Sequence, residues 1–416
     1  MPPHGEEAAV TEIRSTGDED LGVFVDTLHR AFGLFPETPG EDGSGVWWSA
    51  FEMDRSLLAL AEDGRPVGTA GAYSFELTLP GETVVPVSGV TAVGVLPTHR
   101  RQGVLTAMMR RQLGDLRARG EALSVLLASE AVIYRRFGYG PATSTQRVTV
   151  PRDRGAFARP RGLGPADGGS GTVEVLRRAD CGALLEEVYE RYRRTQPGAL
   201  GRPPHWWARG AGQPPVAAAP RYVAAHRDAH GVADGYATYT VDSGTLTVDE
   251  IITVDDAVFG ELARFALGHD LVTKVVFKQV PPGHPLRHWL ADFRAGQLTD
   301  DTDWLWVRLL DVPRALTARG GWLADGELVL DVDDPFLGER GRHLLTVRDG
   351  KAECTPTDRD PDLTLDVSDL GSLYLGGTTP GTLIRAGHIR AHHPEAAARA
   401  DALFRTERPP HCLHWF

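Results

Sequence analysis

The chain has 416 residues, of which 42% are hydrophobic and 24% are charged, and its formal net charge at pH 7 is −12. This length exceeds what one ordinary hydrophobic core accommodates, so it predicts a globular protein of two or three domains. The acidic balance argues against nucleic acid as the main partner and is compatible with cationic ligands.

Residues 1–150 are predicted to form an α/β unit around a mixed sheet. The predicted elements are a helix at Leu21–Phe32, strands at Leu57–Ala61, Val67–Leu79 and Val84–Val95, a helix from Val104 to about Ala118, a strand at Leu123–Ala128 and a short helix ending at Gly138. The helix that begins at Val104 carries mostly apolar residues at helical spacing, which predicts one buried face.

The connection between the strand ending at Val95 and the next helix is basic and contains glycine. A helix N-terminus that follows a strand presents unpaired backbone N–H groups and a dipole that favours anions. Arg100 and Arg101 add positive charge there, and Gly103 lets a ligand approach the backbone closely. The loop therefore predicts a pyrophosphate-binding site, and the alternative is a surface turn rich in arginine.

A second unit, residues 151–302, begins with a Pro/Gly-rich linker at Pro151–Gly171 and then repeats the order of the first. At the turn after Val254, which corresponds to the basic loop, Asp255 and Asp256 stand instead of Arg and Gly. Two carboxylates repel a pyrophosphate. If the unit is an internal duplication, its cofactor site has been lost.

The third unit, residues 303–416, is predicted to be an α+β module. A strand at Trp304–Leu310 and a helix at Pro313–Ala318 are followed by alternating strands, with a hairpin turn at Asp349-Gly350. Two helices near the end of the chain, at Ser368–Leu375 and Pro394–Phe404, complete the module.

The remaining composition predicts a cytoplasmic protein without a metal site. The three cysteines, Cys181, Cys354 and Cys412, lie far apart with no C-x-x-C spacing, as small buried residues of a reducing compartment do. The first residues contain acids and no apolar run, and no window approaches the roughly eighteen uninterrupted apolar residues of a membrane span. The histidines are scattered, and the adjacent His392 and His393 are not expected to bind metal.

The basic loop and three other segments resemble one family. The motif R-x-x-G-x-L from Arg100 to Leu105 is similar to the R/Q-x-x-G-x-G/A signature of GNAT acetyltransferases, with Leu105 replacing the usual small residue. ASEAVIYRRFGYGPAT, CTPTD followed by GSLYLGG, and the apolar carboxyl terminus HCLHWF resemble the Eis (enhanced intracellular survival) family of aminoglycoside and lysine N-acetyltransferases. This resemblance implies two GNAT-like domains, the second degenerate, then a sterol-carrier-protein-like domain, assembled as a homohexamer that uses acetyl-CoA.

The resemblance also implies roles for individual residues. The backbone at Val93 and Val95 would pair with the pantetheine arm of acetyl-CoA, and the pyrophosphate loop would consist of Arg100, Arg101, Gly103 and Val104. Ser129 and Glu130 would line the acetyl pocket, Tyr134 would be the general acid, and the carboxylate of the terminal residue Phe416 would be the general base. The family pattern is not followed at Ala92, Leu127 and Trp415, and the acidic residue that the family has near Leu34 is absent. These departures put the identity of the amine in question.

The residue chemistry fits these roles. The phenol of Tyr134 has an ordinary pKa of about 10, which is close to the pKa of the thiol that it would reprotonate. The alternative is that Tyr134 is a core aromatic residue. A free carboxylate is a weak base in water, but burial with Trp415 and Phe416 would raise its pKa, whereas chain ends usually fray into solvent. Trp47, Trp48 and Phe51 could form an aromatic wall for a cationic amine or could belong to the core. The residues expected to bind the amine substrate are Trp47, Trp48, Glu130 and Trp415.

We therefore expect an acetyl-CoA-dependent N-acetyltransferase that acts on polycationic small molecules such as aminoglycosides. The first alternative is a protein or peptide lysine Nε-acetyltransferase. The second is a non-catalytic protein whose third domain binds a lipid.

Overall fold

The computed structural model describes residues 10–33, 51–158, 171–208 and 222–416. Trp47, Trp48 and the position near Leu34 lie outside the described residues, as does most of the Pro/Gly-rich linker. The described chain contains two seven-stranded sheets and one five-stranded sheet.

The first sheet carries the basic loop and has the strand order β1-β2-β3-β4-β5-β14-β6. Its strands are β1 (Val10–Ser15), β2 (Leu57–Ala61), β3 (Pro66–Thr78), β4 (Val84–Val95), β5 (Leu123–Leu127), β6 (Gly140–Pro141) and β14 (Leu305–Leu309), and its helices are α1 (Leu21–Phe32), α2 (Val104–Ala118) and α3 (Ala131–Tyr134). The predicted α1, β2 and β4 are confirmed residue for residue. The apolar face of α2 is buried as predicted, with Leu105 half-buried at its edge.

The second sheet has the order β13-β7-β12-β11-β10-β9-β8. Its strands are β7 (Ser144–Pro151), β8 (Thr172–Arg177), β9 (Tyr222–Arg227), β10 (Ala233–Asp242), β11 (Thr245–Thr253), β12 (Lys274–Val280) and β13 (Gln297–Asp303), and its helices are α4 (Leu184–Thr195), α5 (Pro204–Ala208), α6 (Asp256–Leu267) and α7 (Leu286–Trp289). The order β11, α6, β12 repeats the order β4, α2, β5 of the first sheet.

The two large sheets do not follow the predicted divisions at residues 150 and 303. β7 precedes the first division yet pairs with β12 and β13, and β14 follows the second division yet lies between β5 and β6. Local periodicity identifies a strand but not the sheet it joins, because pairing is decided by contacts distant in sequence. The units 1–150, 151–302 and 303–416 therefore exchange strands at both boundaries.

The third sheet has the order β17-β16-β15-β18-β19. Its strands are β15 (Gly326–Asp334), β16 (Glu339–Arg348), β17 (Lys351–Pro356), β18 (Leu363–Asp366) and β19 (Arg390–Ala391), and its helices are α8 (Val312–Ala318), α9 (Val367–Tyr374), α10 (Pro380–Arg385) and α11 (Pro394–Phe404). The hairpin between β16 and β17 turns at Asp349-Gly350, where both residues have positive φ, 50° and 72°. This geometry confirms the predicted turn.

The third sheet is joined to the first through a buried ion pair. Arg308 of β14 is fully buried and donates to Asp334 of β15. A Cβ atom on Gly138, whose φ is +80°, would lie 1.4 Å from the Arg308 guanidinium. Gly138, which ends the turn after α3, is therefore required both for its backbone conformation and for the room that it leaves.

The carboxyl-terminal segment, residues 411–416, is buried between the first and second sheets. The His411 N–H donates to the Pro197 carbonyl at 2.8 Å, and the Trp304 indole N–H donates to the His414 carbonyl at 3.2 Å. The side chain of Phe416 is only 5% exposed. The predicted burial of the terminal segment is therefore confirmed.

The three cysteines are free thiols and buried, as their predicted role as small apolar residues requires. Within the described ranges, no helix combines the length and the apolar composition that a bilayer span needs. Those ranges also hold no group of three or more His, Cys, Asp or Glu side chains arranged to bind a metal ion.

Candidate active site

The central feature of the first sheet is the place where β4 and β5 separate. The two strands pair in parallel only from Ser88 to Val90 on β4 and from Ser124 to Leu126 on β5. Beyond these residues the strands diverge, and we call the resulting gap the first splay. The backbone of β4 from Thr91 onward has no partner in β5, so this edge of the strand can pair with an extended ligand through the polar groups that no side chain already bonds.

A bulge in β4 lies at the start of the first splay. The register between β3 and β4 shifts between Thr69 and Gly71, and Ala92 has a φ of +51°. The Thr69 hydroxyl donates to the Ala92 carbonyl at 2.8 Å and so holds this conformation. A non-glycine residue in this region costs about 1–3 kcal/mol, and such residues cluster at functional sites. The bulge redirects the peptide groups next to Val93.

A cleft of about 350 Å³ opens at the first splay. It collects residues from all three predicted units, and they are Leu28, Phe32, Phe51, Val90, Thr91, Ala92, Val93, Leu127, Ala128, Ser129, Tyr134, Thr302, Asp303, Trp304, Trp415 and Phe416. Six of these were candidate site residues in the sequence, namely Phe51, Val93, Ser129, Tyr134, Trp415 and Phe416. The fold therefore brings the predicted acid and the terminal residue to one cleft.

Tyr134 ends α3 and is 7% exposed. Its ring packs edge-on against Tyr139, with the centroids 6.3 Å apart, and the Tyr139 hydroxyl shares a hydrogen bond of 2.7 Å with Ser124. Burial raises the pKa of Tyr134, a hydrogen bond with Ser129 partly opposes this, and the charge of Glu130 adds to it. The phenol is therefore protonated at neutral pH and available as a proton donor.

Phe416 is fixed among aromatic rings. Its centroid lies 5.0 Å from that of Phe75 on β3, in an edge-to-face arrangement. A Cβ atom on Gly89 of β4 would lie 2.9 Å from the Phe416 ring and 2.6 Å from Phe75. Gly89 is thus the position in β4 that leaves room for the terminal side chain.

His414 anchors the same segment from the side of the second sheet. The Arg202 guanidinium donates to His414 Nδ1 at 3.3 Å and pairs with Glu250 at 2.9 Å. Burial and the charge of Arg202 hold the pKa of His414 well below its usual value. The imidazole is therefore neutral, and its neighbours hold the last residues of the chain in one position.

The basic loop has the geometry of a helix N-terminal anion site. A 3₁₀ turn at Pro97–His99 is followed by Arg101 and Gly103 with φ of 62° and 81°, and α2 begins at Val104. No atom lies within 4 Å of a Cβ built on Gly103, so glycine is needed there for its conformation and not for space. Arg101 is exposed, whereas Val104 is buried under the loop.

Arg100 has a different environment from Arg101. Its guanidinium donates to the Ala31 carbonyl at the end of α1, at 2.8 Å, and to the Val95 carbonyl at 3.2 Å. These bonds tie the loop to α1 and to the end of β4. The sequence predicted a direct ligand contact for Arg100, and the structure gives its side chain two backbone partners.

Two other predicted residues do not line the cleft. Val95 packs below it with Val67 and Met108, and Glu130 is exposed beside Tyr134. Phe51 does line the cleft and stacks on Tyr73, with centroids 5.5 Å apart.

The cleft also contains residues that sequence reasoning missed. Asp303 and Trp304 enter it from the end of β13, and Asp303 accepts a hydrogen bond of 2.5 Å from the Trp306 indole. The acidic run TDDTD at 299–303 was the available signal, but nothing in the local pattern placed its end in the cleft that Tyr134 lines.

The second sheet has a corresponding gap with different contents. β11 and β12 pair in parallel from Thr245 to Val248 and from Lys274 to Phe277, and we call the gap beyond these residues the second splay. Its next residues form an ion pair, Lys278 Nζ to Asp249 Oδ1, at 2.9 Å. Asp255 caps α6 by accepting a hydrogen bond of 2.9 Å from the Val258 N–H. The N-terminus of α6 is thus capped by a carboxylate, whereas the corresponding helix of the first sheet, α2, begins at the basic loop.

Family models match most of the chain. An acetyltransferase (GNAT) domain matches residues 12–142, a second acetyltransferase (GNAT) domain matches 198–309, and a sterol carrier protein domain matches 312–413.

Full-length relatives agree with these matches. The N-acetyltransferase Eis of Mycobacterium tuberculosis strain H37Ra is 35% identical, covering 96% of this chain and 98% of the relative. An uncharacterized N-acetyltransferase of Streptomyces avermitilis is 35% identical, covering 97% and 98%. The crystal structure of Eis1 from Mycobacterium abscessus superposes with a TM-score of 0.82 at 34% identity, covering 97% of this chain and 100% of that one. A GCN5-related N-acetyltransferase from Anabaena variabilis, at 22% identity and a TM-score of 0.81, shares the fold.

Proposed function

The chain belongs to the Eis family of GNAT N-acetyltransferases, and we propose that it transfers the acetyl group of acetyl-CoA to amines of polycationic small molecules such as aminoglycosides. Family membership makes it an acyltransferase with two GNAT domains followed by a sterol-carrier-protein-like domain. The observation that carries the finer proposal is the cleft at the first splay, which is lined by both Tyr134 and Phe416.

The donor would bind along the first splay. The GNAT fold implies acetyl-CoA as co-substrate, and its pantetheine arm would run along β4 at Val93 and Val95, where β5 no longer pairs with β4. Its pyrophosphate would bind the N–H groups around Gly103 and Val104 together with exposed Arg101. Arg100 would act by holding the loop against α1 and β4. Ser129, at the mouth of the cleft, would border the acetyl group.

The transfer needs a base and an acid. An ordinary amine of pKa about 10 is cationic at neutral pH and must lose a proton before it can attack. We assign this step to the Phe416 carboxylate, because a carboxyl group removed from water is a stronger base than one in solution. The amine nitrogen then attacks the thioester carbon, so that a C–N bond forms and the C–S bond breaks.

The proton for the departing thiolate would come from Tyr134. Its phenol is protonated at neutral pH because burial raises its pKa, and it lines the cleft from the end of α3. Negative charge develops on the carbonyl oxygen during attack, and a backbone N–H at the bulge near Val93 would stabilise it. The nitrogen gives its remaining extra proton to the Tyr134 phenolate, so the acid is regenerated and the products are an amide and free CoA.

The acceptor would bind on the side of the cleft formed by Asp303, Trp304 and Trp415. A carboxylate beside two indole rings suits a cationic amine through charge attraction and cation–π contact. Glu130 is exposed next to Tyr134 and would attract a second amino group at the entrance. The roles of Trp47 and Trp48 in this pocket stay predictions.

The experiment is a thiol-release assay with acetyl-CoA and three sets of amines: aminoglycosides, linear polyamines and lysine peptides. We expect turnover with aminoglycosides, with kcat/KM higher than for a lysine peptide. Turnover confined to lysine peptides would favour the protein acetyltransferase. No release with any amine would overturn the proposal and favour the non-catalytic alternative.

We further propose that the enzyme assembles as a homohexamer, and this proposal rests on family membership. Light scattering during gel filtration should give six times the chain mass of 45.1 kDa. A mass of one or two chains would contradict it.

A further inference from the structure

A second cavity lies at the second splay, where the second GNAT domain has lost the features of a donor site. Its volume is about 150 Å³. Its lining comes from β7, β11, β12, β13 and the terminal segment, and the residues are Thr145, Arg147, Asp249, Lys278, Gln279, Asp300, Thr302, Trp304, Leu413 and Trp415. We call it the distal cavity.

The distal cavity adjoins the cleft of the first splay. Thr302, Trp304 and Trp415 line both, so these three side chains are the wall between them. β13 runs along both sites, because Asp300 lines the distal cavity and Asp303 lines the cleft. A molecule whose amine reacts beside Tyr134 could therefore extend past the two indoles into the distal cavity.

Acetyl-CoA does not fit the second splay. The ion pair between Asp249 and Lys278 spans it at 2.9 Å, and Asp249 is 4% exposed. The Asp255 carboxylate already accepts from the N-terminal turn of α6, where a pyrophosphate would otherwise bind. The distal cavity therefore requires an occupant other than the donor.

The chemistry of the lining describes that occupant. Two cationic side chains, Arg147 and Lys278, balance two carboxylates, Asp249 and Asp300, and Arg147 and Asp300 face each other across paired strands. The walls offer indole faces beside these polar groups. A neutral lining of polar groups with aromatic walls suits a hydroxylated ring, which hydrogen-bonds at its edge and packs on its face.

Gln279 supplies the most specific observation. Its Oε1 atom is buried, and no described residue donates a hydrogen bond to it. A buried acceptor without a donor is costly, so the native complex is expected to supply one. A hydroxyl or amino group on a bound ring would do so.

We propose that the distal cavity is an acceptor subsite, which binds a hydroxylated or amino-substituted ring remote from the reacting amine. The inference rests on the proposed acetylation of polycationic small molecules, and it names the part of the chain that discriminates between acceptors of different size. The degenerate second GNAT domain thus retains a binding role at its splay, with the acceptor in place of acetyl-CoA.

The test compares a three-ring aminoglycoside with 2-deoxystreptamine, a one-ring amine, in the full-length enzyme. In Gln279→Leu, the ratio of kcat/KM for the larger acceptor to that for the smaller one should fall about fivefold, the factor for one neutral hydrogen bond. Gln279→Phe, which fills the cavity, should lower the ratio further. Gln297→Leu makes the same substitution at an exposed position of β13 outside the cavity, and it should leave the ratio unchanged.

The outcomes separate the two proposals. If the wild type acetylates both amines and neither Gln279 variant changes the ratio from its wild-type value, the subsite is overturned and the proposed function stands. If the wild type acetylates neither amine, both proposals fall. A folded Gln279→Phe protein with an unchanged melting temperature and a lowered ratio supports the subsite, because a merely structural role would not discriminate between acceptors.

Discussion

The first and second splays are built from the same order of strand, helix and strand, yet they differ in every group that would touch a ligand. The first has a β4 edge that β5 leaves beyond Val90, a bulge at Ala92 and a basic loop ending in Gly103. The second has the Asp249–Lys278 pair across it and the Asp255 carboxylate on its helix. The strand order therefore creates the gap in each sheet, whereas a few side chains determine what each gap can bind.

The largest expected effect comes from disturbing the terminal segment that completes the first splay. Adding a few residues after Phe416 should lower kcat roughly 1000-fold, since the added chain removes the proposed base and displaces the ring from its contact with Phe75. The measurement is steady-state acetyl transfer. The same residues added before Met1 are the control, and near wild-type kcat in the carboxyl-terminal extension would remove Phe416 from the chemistry.

Tyr134→Phe tests the acid at the other side of the first splay. It should lower kcat about 100-fold and leave acetyl-CoA affinity almost unchanged, because only the donated proton is lost. Tyr222→Phe, at an exposed tyrosine of the second sheet, is the matched control. Equal turnover in Tyr134→Phe and wild type would show that Tyr134 is a packing residue.

Arg101→Ala tests the difference between the two helix N-termini. Removing this exposed charge should raise KM for acetyl-CoA about tenfold with little change in kcat, as expected for a charge-assisted bond to phosphate. Arg111→Ala removes an exposed arginine of α2 that pairs with Asp115, and it should leave KM as it is. Identical KM values for the two variants would argue against binding of the acetyl-CoA pyrophosphate by the basic loop.

The smallest expected effect is a loss of folding stability at acid pH, which arises from two buried histidines of the terminal segment. Burial lowers the pKa of His411 to about 3 and that of His414 well below its usual value, so both are neutral in the folded chain. The unfolded chain protonates them below pH 6.5, and stability therefore falls as the pH drops, by roughly 1 kcal/mol per unit for each histidine. Melting temperature against pH should flatten in His411→Gln, and an unchanged slope would contradict this.

Much of the first splay was predictable because its signals are local. The apolar period of α2, the β-branched strand ending at Val95 and the need for glycine at position 103 are all visible within a few residues. The burial of HCLHWF also followed from composition alone.

The missed features depend on contacts distant in sequence. The last five of the seven residues of β13 are TDDTD. Most side chains of this strand are exposed, so its sequence lacks the alternation of apolar and polar residues that predicts a strand. Its pairing with β7, and that of β14 with β5, bring Asp303 and Trp304 to the cleft that Tyr134 lines. No local pattern carries that information.

The most direct test of the comparison is the stoichiometry of acetyl-CoA binding by isothermal titration calorimetry. We expect one acetyl-CoA per chain, with an affinity weakened about tenfold by Arg101→Ala and unaffected by Lys278→Met in the second splay, provided that the Lys278→Met protein is folded by its melting curve. Two molecules per chain, or one whose affinity depends on Lys278 and not on Arg101, would contradict the assignment of the donor to the first splay.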